Sequence, residues 1–288
     1  AMVFGDGFSL AHIESGAPNN TPLLSYAGGS FPPHWNEGDK RFGGLFSGSF
    51  TGSACQGDAL VWQQSRITES SHCSMQILGA DIAIAVSSGL RLLAPPQRIT
   101  ACNGFDLEAL DGRSAAHSLR RTIPQELQTQ DWPLMHQLTA VLLEPECSSA
   151  DRLSEGHYRS LAIIAVNADQ SVTLSDHVAP GQHLAWAIRQ PDAAEIDMQQ
   201  SLDRLTPGTN PAACALMFSC IGRGPYFYGD DDRDLAALRQ RYPGLPILGC
   251  YGTGQIAPAG CGTCAINRPL QNAVLTTLVS RRLEKPYV

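Results

Sequence analysis

Two hydrophobic spacings alternate along the second half of the chain. Between His183 and Arg189 apolar residues fall at every other position, with Leu184, Trp186 and Ile188 on one face, which is the period of a strand. From Asp192 the period changes. Ala194, Met198, Leu202 and Leu205 recur at helical spacing, so Asp192–Leu205 is predicted as an amphipathic helix that Pro207-Gly208 ends. Ala213–Cys220 is a nearly continuous apolar run of strand length and predicts a buried strand. Leu235, Leu238 and Arg241 form a second helical pattern after the run Asp230-Asp231-Asp232-Arg233-Asp234, and acids in a first turn are favoured by the helix dipole. Pro246–Tyr251 and Asn272–Ser280 read as further strands, and Leu161–Val166 with Ser171–Leu174 flank Asn167-Ala168-Asp169-Gln170 as a hairpin.

The first half is less regular. A short extended piece near Met2–Phe4 precedes a stretch from Gly5 to Gly44 that reads as loop-rich, because Gly28-Gly29 and Pro32-Pro33 exclude regular helix. Asp81–Val86 predicts a buried strand that meets a turn at Ser87-Ser88-Gly89. Pro95-Pro96 breaks the chain before an extended piece at Arg98–Thr100. Asp106–Leu110 turns at Asp111-Gly112, and Ser114 is placed to cap a helical turn running through Leu119. The polar Pro124–Asp131 region ends at Trp132-Pro133 and marks a boundary between parts 1–130 and 131–288. The fold class expected is α/β, with mixed β-sheets and packed helices in two intimately associated lobes.

Composition narrows the functions available. A chain of 288 residues with 43% hydrophobic content can bury one large core or two moderate ones. The net charge of −7 argues against nucleic acid, because phosphate binding needs clustered Lys and Arg. Leu161–Val166 is typical of the longest apolar runs and falls far short of the roughly 18 residues that span a bilayer, so no membrane association is expected. Nine cysteines, an odd number without a framework spacing, suit free thiols in a reducing compartment, and the expected location is the cytoplasm.

The chemistry concentrates at two strand ends. Phe218-Ser219-Cys220-Ile221-Gly222-Arg223-Gly224 takes a buried strand directly into glycines that permit close backbone approach. Pro246-Ile247-Leu248-Gly249-Cys250-Tyr251-Gly252-Thr253-Gly254-Gln255-Ile256 repeats the arrangement. Two such ends side by side would form a cleft with exposed amides, one guanidinium and one side-chain amide. These residues resemble the C-terminal signature of the FIST domain proteins, F-x-C-x-G-R-G followed by an acidic helix start and P-x-x-G-x-x-x-x-G-E-I. Phe218, Cys220, Gly222, Arg223 and Gly224 match the first element, and Pro246, Gly249, Gly254 and Ile256 the second. Asp176-His177-Val178 with Gly181-Gln182 and Arg189 is similar to the strand before the family's C-terminal helix. Gly28-Gly29, Ile99-Thr100 and Leu110-Asp111-Gly112 are similar to the later half of its N-terminal part. Gln255 stands where the pattern has Glu, and the resemblance leads to the expectation that the chain begins partway through the N-terminal part.

The resemblance implies a non-catalytic intracellular sensory module that binds a small ligand, an amino acid or related metabolite, and passes the signal to a protein partner such as a kinase. The ligand-binding residues expected are Cys220, Gly222, Arg223, Gly224, Tyr251, Gly254 and Gln255, with no metal. Two alternatives stand beside it. Some members of the family are haem-based nitric-oxide sensors, which makes His177 and His183 candidate axial ligands against their plainer reading as polar residues at strand edges. Cys220 near Arg223 is also a candidate nucleophile for a cysteine-dependent enzyme, against a buried structural cysteine. Arg223 itself reads either as a fork for a ligand carboxylate or as an ion pair with the Asp230–Asp234 run. Cys261-Gly262-Thr263-Cys264 has the spacing of half a zinc site, with no second pair to complete it.

Overall fold

The periods read from the sequence fix most of the second half. In the computed structural model, which describes residues 2–3, 8–13, 16–17, 21–46, 61–63, 66–67, 71–124, 137–143, 158–207, 210–259 and 265–282, strand greatly outweighs helix. The chain divides into two compact units, Ala1–Ser88 with Met198–Val288, and Gly89–Asp197. The boundary expected at Trp132-Pro133 falls outside the described residues.

Among the described residues the first unit opens with nine strands: β1 Met2–Val3, β2 Ser9–His12, β3 Leu23–Gly28, β4 Glu37–Gly38, β5 Arg41–Phe46, β6 Trp62–Gln63, β7 Arg66–Ile67, β8 His72–Leu78 and β9 Ala80–Ser87. The loop-rich reading of Gly5–Gly44 is therefore corrected. Its glycines misled: Gly43 (φ 147°) lies inside β5, where a Cβ would come 2.0 Å from the Ser25 carbonyl oxygen of the parallel neighbour β3. Here glycine marks close strand approach instead of a turn.

The second unit holds β10 Leu90–Leu92, β11 Gln97–Asn103, β12 Asp106–Leu110, β13 Arg113–Ser114, helix α1 Ala115–Thr122, β14 Leu138–Leu143, β15 Tyr158–Val166, β16 Val172–Leu174 and β17 His183–Arg189. β17 pairs with β14 along one edge and with β10 and β11 along the other, while β11, β12, β16, β15 and β14 follow in order. The ring β17-β11-β12-β16-β15-β14 closes into an antiparallel barrel, with β10 added beside it on β17. Leu184, Trp186 and Ile188, the alternating apolar face of β17, enter its core with Leu107, Leu142, Leu161 and Leu119 of α1. The Trp186 indole N–H donates to Ser118 Oγ at 3.0 Å, so the one polar atom of that ring is satisfied inside the core.

Helix α2, Pro191–Arg204, leads back into the first unit. There follow β18 Ala212–Cys220, the short helix α3 Pro225–Tyr228, helix α4 Arg233–Arg241, and β19 Ile247–Gly252, β20 Gly254–Ala259, β21 Ala265–Leu270 and β22 Val274–Arg281. β20 and β21 join the sheet ordered β1-β2-β8-β3-β5-β20-β21-β4. Among the described residues β6 pairs with β7 alone, and the other strands form a four-stranded sheet, β19-β18-β22-β9, with β19 at its edge and parallel to β18. On one face of this sheet Met198 and Leu202 of α2 and Ala237 and Leu238 of α4 bury Ala215, Met217, Val274 and Leu278. Phe218 points the other way, its ring 5.9 Å from that of Tyr26 on β3. No helix among the described residues is long and apolar enough to cross a membrane.

Candidate functional site

The run β18, α4, β19 is a parallel strand pair joined by a helical crossover, and such units place ligands outside the carboxyl ends of their strands. Register puts Phe218 opposite Cys250, Ser219 opposite Tyr251 and Cys220 opposite Gly252, so the two strand ends singled out in the sequence lie side by side. Gly249 makes the approach possible: a Cβ there would sit 1.9 Å from the Met217 carbonyl oxygen. After Cys220 the chain makes a single 3₁₀ turn through Ile221, Gly222 and Arg223, and Gly224 enters α3 with the Tyr251 ring against it, 3.2 Å from where a Cβ would stand.

Arg223 is only 1% exposed. Its guanidinium donates to Asp234 Oδ1 at 2.8 Å and to the Ser87 carbonyl at 2.9 Å, and the Tyr228 hydroxyl donates to the same carboxylate oxygen at 2.9 Å. Burial pushes the Asp234 carboxyl above the ordinary carboxylate range, and the neighbouring guanidinium pulls it back. Of the two roles open to Arg223, the ion pair with the acidic run is the one the geometry gives. As a direct ligand contact it is corrected, because the group is sealed inside the fold with its donors in use.

The cavity lies between α4 and the strand pair, about 250 Å³ in volume. Met217, Leu235 and Ile247 give it apolar walls, and Gly249 and Cys250 continue the strand side. Its polar groups are Ser219, Tyr251, Asp232 and Arg239. Asp232 is the N-cap of α4: Oδ1 accepts from the Leu235 amide at 2.9 Å, and its other oxygen accepts from the Tyr251 hydroxyl. Burial and the Asp232 carboxylate together push the Tyr251 phenol far above its usual value.

Of the residues expected to bind ligand, Tyr251 lines this cavity and Gly224 backs its ring. Cys220, Gly222, Gly254 and Gln255 do not line it. The Cys220 thiol is buried, 4.0 Å from the Thr253 carbonyl and from Asn272 Oδ1. Gly254 starts β20 opposite Leu45. Gln255 is fully buried in the next position, and neither end of its amide has a hydrogen-bond partner. A neutral amide at that depth avoids the cost of burying the carboxylate that a glutamate would bring. Asp232, Ser219, Arg239 and Cys250 were missed. The signal was present, since 232, 235 and 239 share one face of a helix that must cross back over its own strand pair.

The other candidates lie elsewhere. The His177 ring packs on Phe105 with centroids 4.0 Å apart, and His183 pairs in register with Leu143 on β14 and Arg98 on β11, both histidines lying in the second unit. Cys73, Cys102, Cys214, Cys220 and Cys250 are free thiols. Cys261-Gly262-Thr263-Cys264 lies outside the described residues, among which no cluster of three metal-ligating side chains occurs.

The fold and site define a strand-rich domain with a crossover cavity, and comparison with known proteins gives it a family. The FIST C domain model matches residues 115–258, half of the chain and parts of both units. The chain belongs to the FIST C domain family. It is similar to an uncharacterized protein of Mycobacterium tuberculosis, 23% identical over 224 residues, which cover 74% of this chain and 56% of that protein. An uncharacterized protein of Mycobacterium bovis is 24% identical over 217 residues, covering 74% of this chain and 55% of its own length. The chain thus spans about half the length of the curated relatives it matches.

Proposed function

We propose that this chain is a non-catalytic sensory module whose cavity between α4 and the β18–β19 strand pair takes a small zwitterion, an amino acid or a related metabolite. The observation that carries this reading is the placing of one carboxylate and one guanidinium, Asp232 and Arg239, in one cavity of about 250 Å³ with apolar walls. Opposite charges a helix face apart match an ammonium and a carboxylate on a small molecule, and Met217, Leu235 and Ile247 leave room for an apolar side chain. Family membership supports a sensory role in signal transduction, with a signalling protein as the downstream partner. A non-catalytic role fits Cys250, the cysteine of the strand wall, since partial desolvation pushes its thiol up, the opposite of an activated nucleophile.

The test is a thermal-shift screen of amino acids, their amines and their carboxylic acids. A ligand at 100 times its Kd stabilises by about 2.7 kcal/mol. The expected hit needs both charges, and Asp232→Asn and Arg239→Gln each reduce its effect. A screen in which no zwitterion shifts the melt sinks the proposal.

A further inference from the structure

The edge strand of the four-stranded sheet is built unlike a protected edge. β19 pairs on one side only, with β18, among the described residues. Its sequence, Ile247-Leu248-Gly249-Cys250-Tyr251-Gly252, has no charge and no proline. Proteins normally guard such edges with Lys, Pro, a bulge or a covering element, because a row of free N–H and C=O groups recruits another strand. Here Leu248 is 72% exposed and Tyr251 43% exposed, and Ile221 and Tyr226, just beyond the end of the neighbouring β18, are 69% and 95% exposed. The same strand supplies Ile247, Gly249, Cys250 and Tyr251 to the cavity. Whatever pairs with β19 therefore borders that cavity.

We propose that a second copy of this chain pairs antiparallel along the outer edge of β19, about a two-fold axis at Gly249, and joins two four-stranded sheets into one of eight. Symmetry selects the occupant. A two-fold axis through Gly249 sets Leu248 against Cys250 of the second copy on one face and Ile247 against Tyr251 of the second copy on the other, so every pair is apolar or aromatic. An uncharged strand meets its own copy without like-charge repulsion, although the whole chain carries a net charge of −7. Ile247, Gly249 and Tyr251 alternate with Leu248 and Cys250, so the second copy's Tyr251 falls beside Ile247 on the cavity side. The pairing extends the strand wall of the cavity by one tyrosine from the second copy.

Light scattering behind size exclusion, on the ligand-free chain across a concentration series, tests this independently of any ligand. A mass of twice the monomer is expected in the micromolar range. Leu248→Lys is expected to weaken association at least about tenfold with an unchanged circular-dichroism spectrum. Two residue steps along and one strand spacing across place the two Cys250 thiols roughly 8 Å apart, so a short bis-maleimide is expected to cross-link the copies, and Cys250→Ser to abolish the product. The cross-link on the unaltered chain holds the test open should Leu248→Lys fail to fold. A monomer at all concentrations, in which case the edge serves some other strand, overturns the proposal. So does a dimer that survives Leu248→Lys, or a cross-link that survives Cys250→Ser.

Discussion

Replacing Arg223 with Leu separates the two roles that a signature arginine can have. In the structure its guanidinium holds Asp234 at 2.8 Å, with both side chains 1% exposed. Removing one partner of such a pair leaves a buried charge uncompensated, at a cost of about 3–5 kcal/mol. The lost bond to the Ser87 carbonyl lies within that range, because contributions inside one network do not add. At about 2–4 °C per kcal/mol for a body of this size, the melt should fall by roughly 6–20 °C. Arg223→Leu with Asp234→Leu should recover most of the loss, since an apolar pair of similar volume often replaces a buried ion pair without cost. Acid should narrow the deficit. Asp234 is already raised by burial, and without the guanidinium it rises further. A group raised in the folded state contributes stability at low pH that is lost as pH climbs through its folded value, so the variant approaches the parent as pH falls. Urea and thermal melts by circular dichroism read all of this. A loss under about 1 kcal/mol, joined to loss of ligand-induced stabilisation, would refute the structural role and make Arg223 a ligand contact after all.

Two further outcomes follow from the site's geometry. Gly249→Ala puts a Cβ where the Met217 carbonyl oxygen stands, 1.9 Å away, and backbone cannot yield cheaply, so the melt should show a loss of about 1–3 kcal/mol; an unchanged melt would contradict the β18–β19 register. Of the seven tyrosines, Tyr26, Tyr228, Tyr242 and Tyr251 are raised, each chiefly by burial. A raised phenol gives stability below its unfolded value of about 10 that is lost as pH climbs toward the folded one. Ultraviolet titration should therefore show a late, cooperative phase that coincides with alkaline unfolding, and seven phenols ionising together near pH 10 would contradict their burial.

What could be read in advance tracks how local the cause is. Helix α2 and the alternating face of β17 were legible because period alone sets which side is buried, and Leu184, Trp186, Ile188, Met198 and Leu202 are all in cores. The adjacency of the two strand ends was legible because a strand, a helix and a strand in series cross over and pair in parallel. The closure of the barrel was not, since it depends on β14 meeting β17 across some forty residues, and no local pattern encodes that. β3 and β5 were lost to glycines that serve packing and not turns. Within the site, Arg223 was overvalued for the reason that makes it conspicuous: a lone guanidinium beside glycines suggests a ligand, and only the fold reveals that Asp234, eleven residues on, meets it first. Asp232 was read within an acidic first turn; it is the N-cap of α4, and its second oxygen accepts from Tyr251 at the cavity.

The central claim is a place, the space between α4 and the β18–β19 strand pair. A crystal structure of the chain with the zwitterion that most raises its melt tests it most directly. Density is expected inside that cavity, with the ammonium on Asp232 and the carboxylate on Arg239. A ligand that stabilises the chain but sits in the barrel of the second unit, or one whose charged groups touch neither residue, would contradict it.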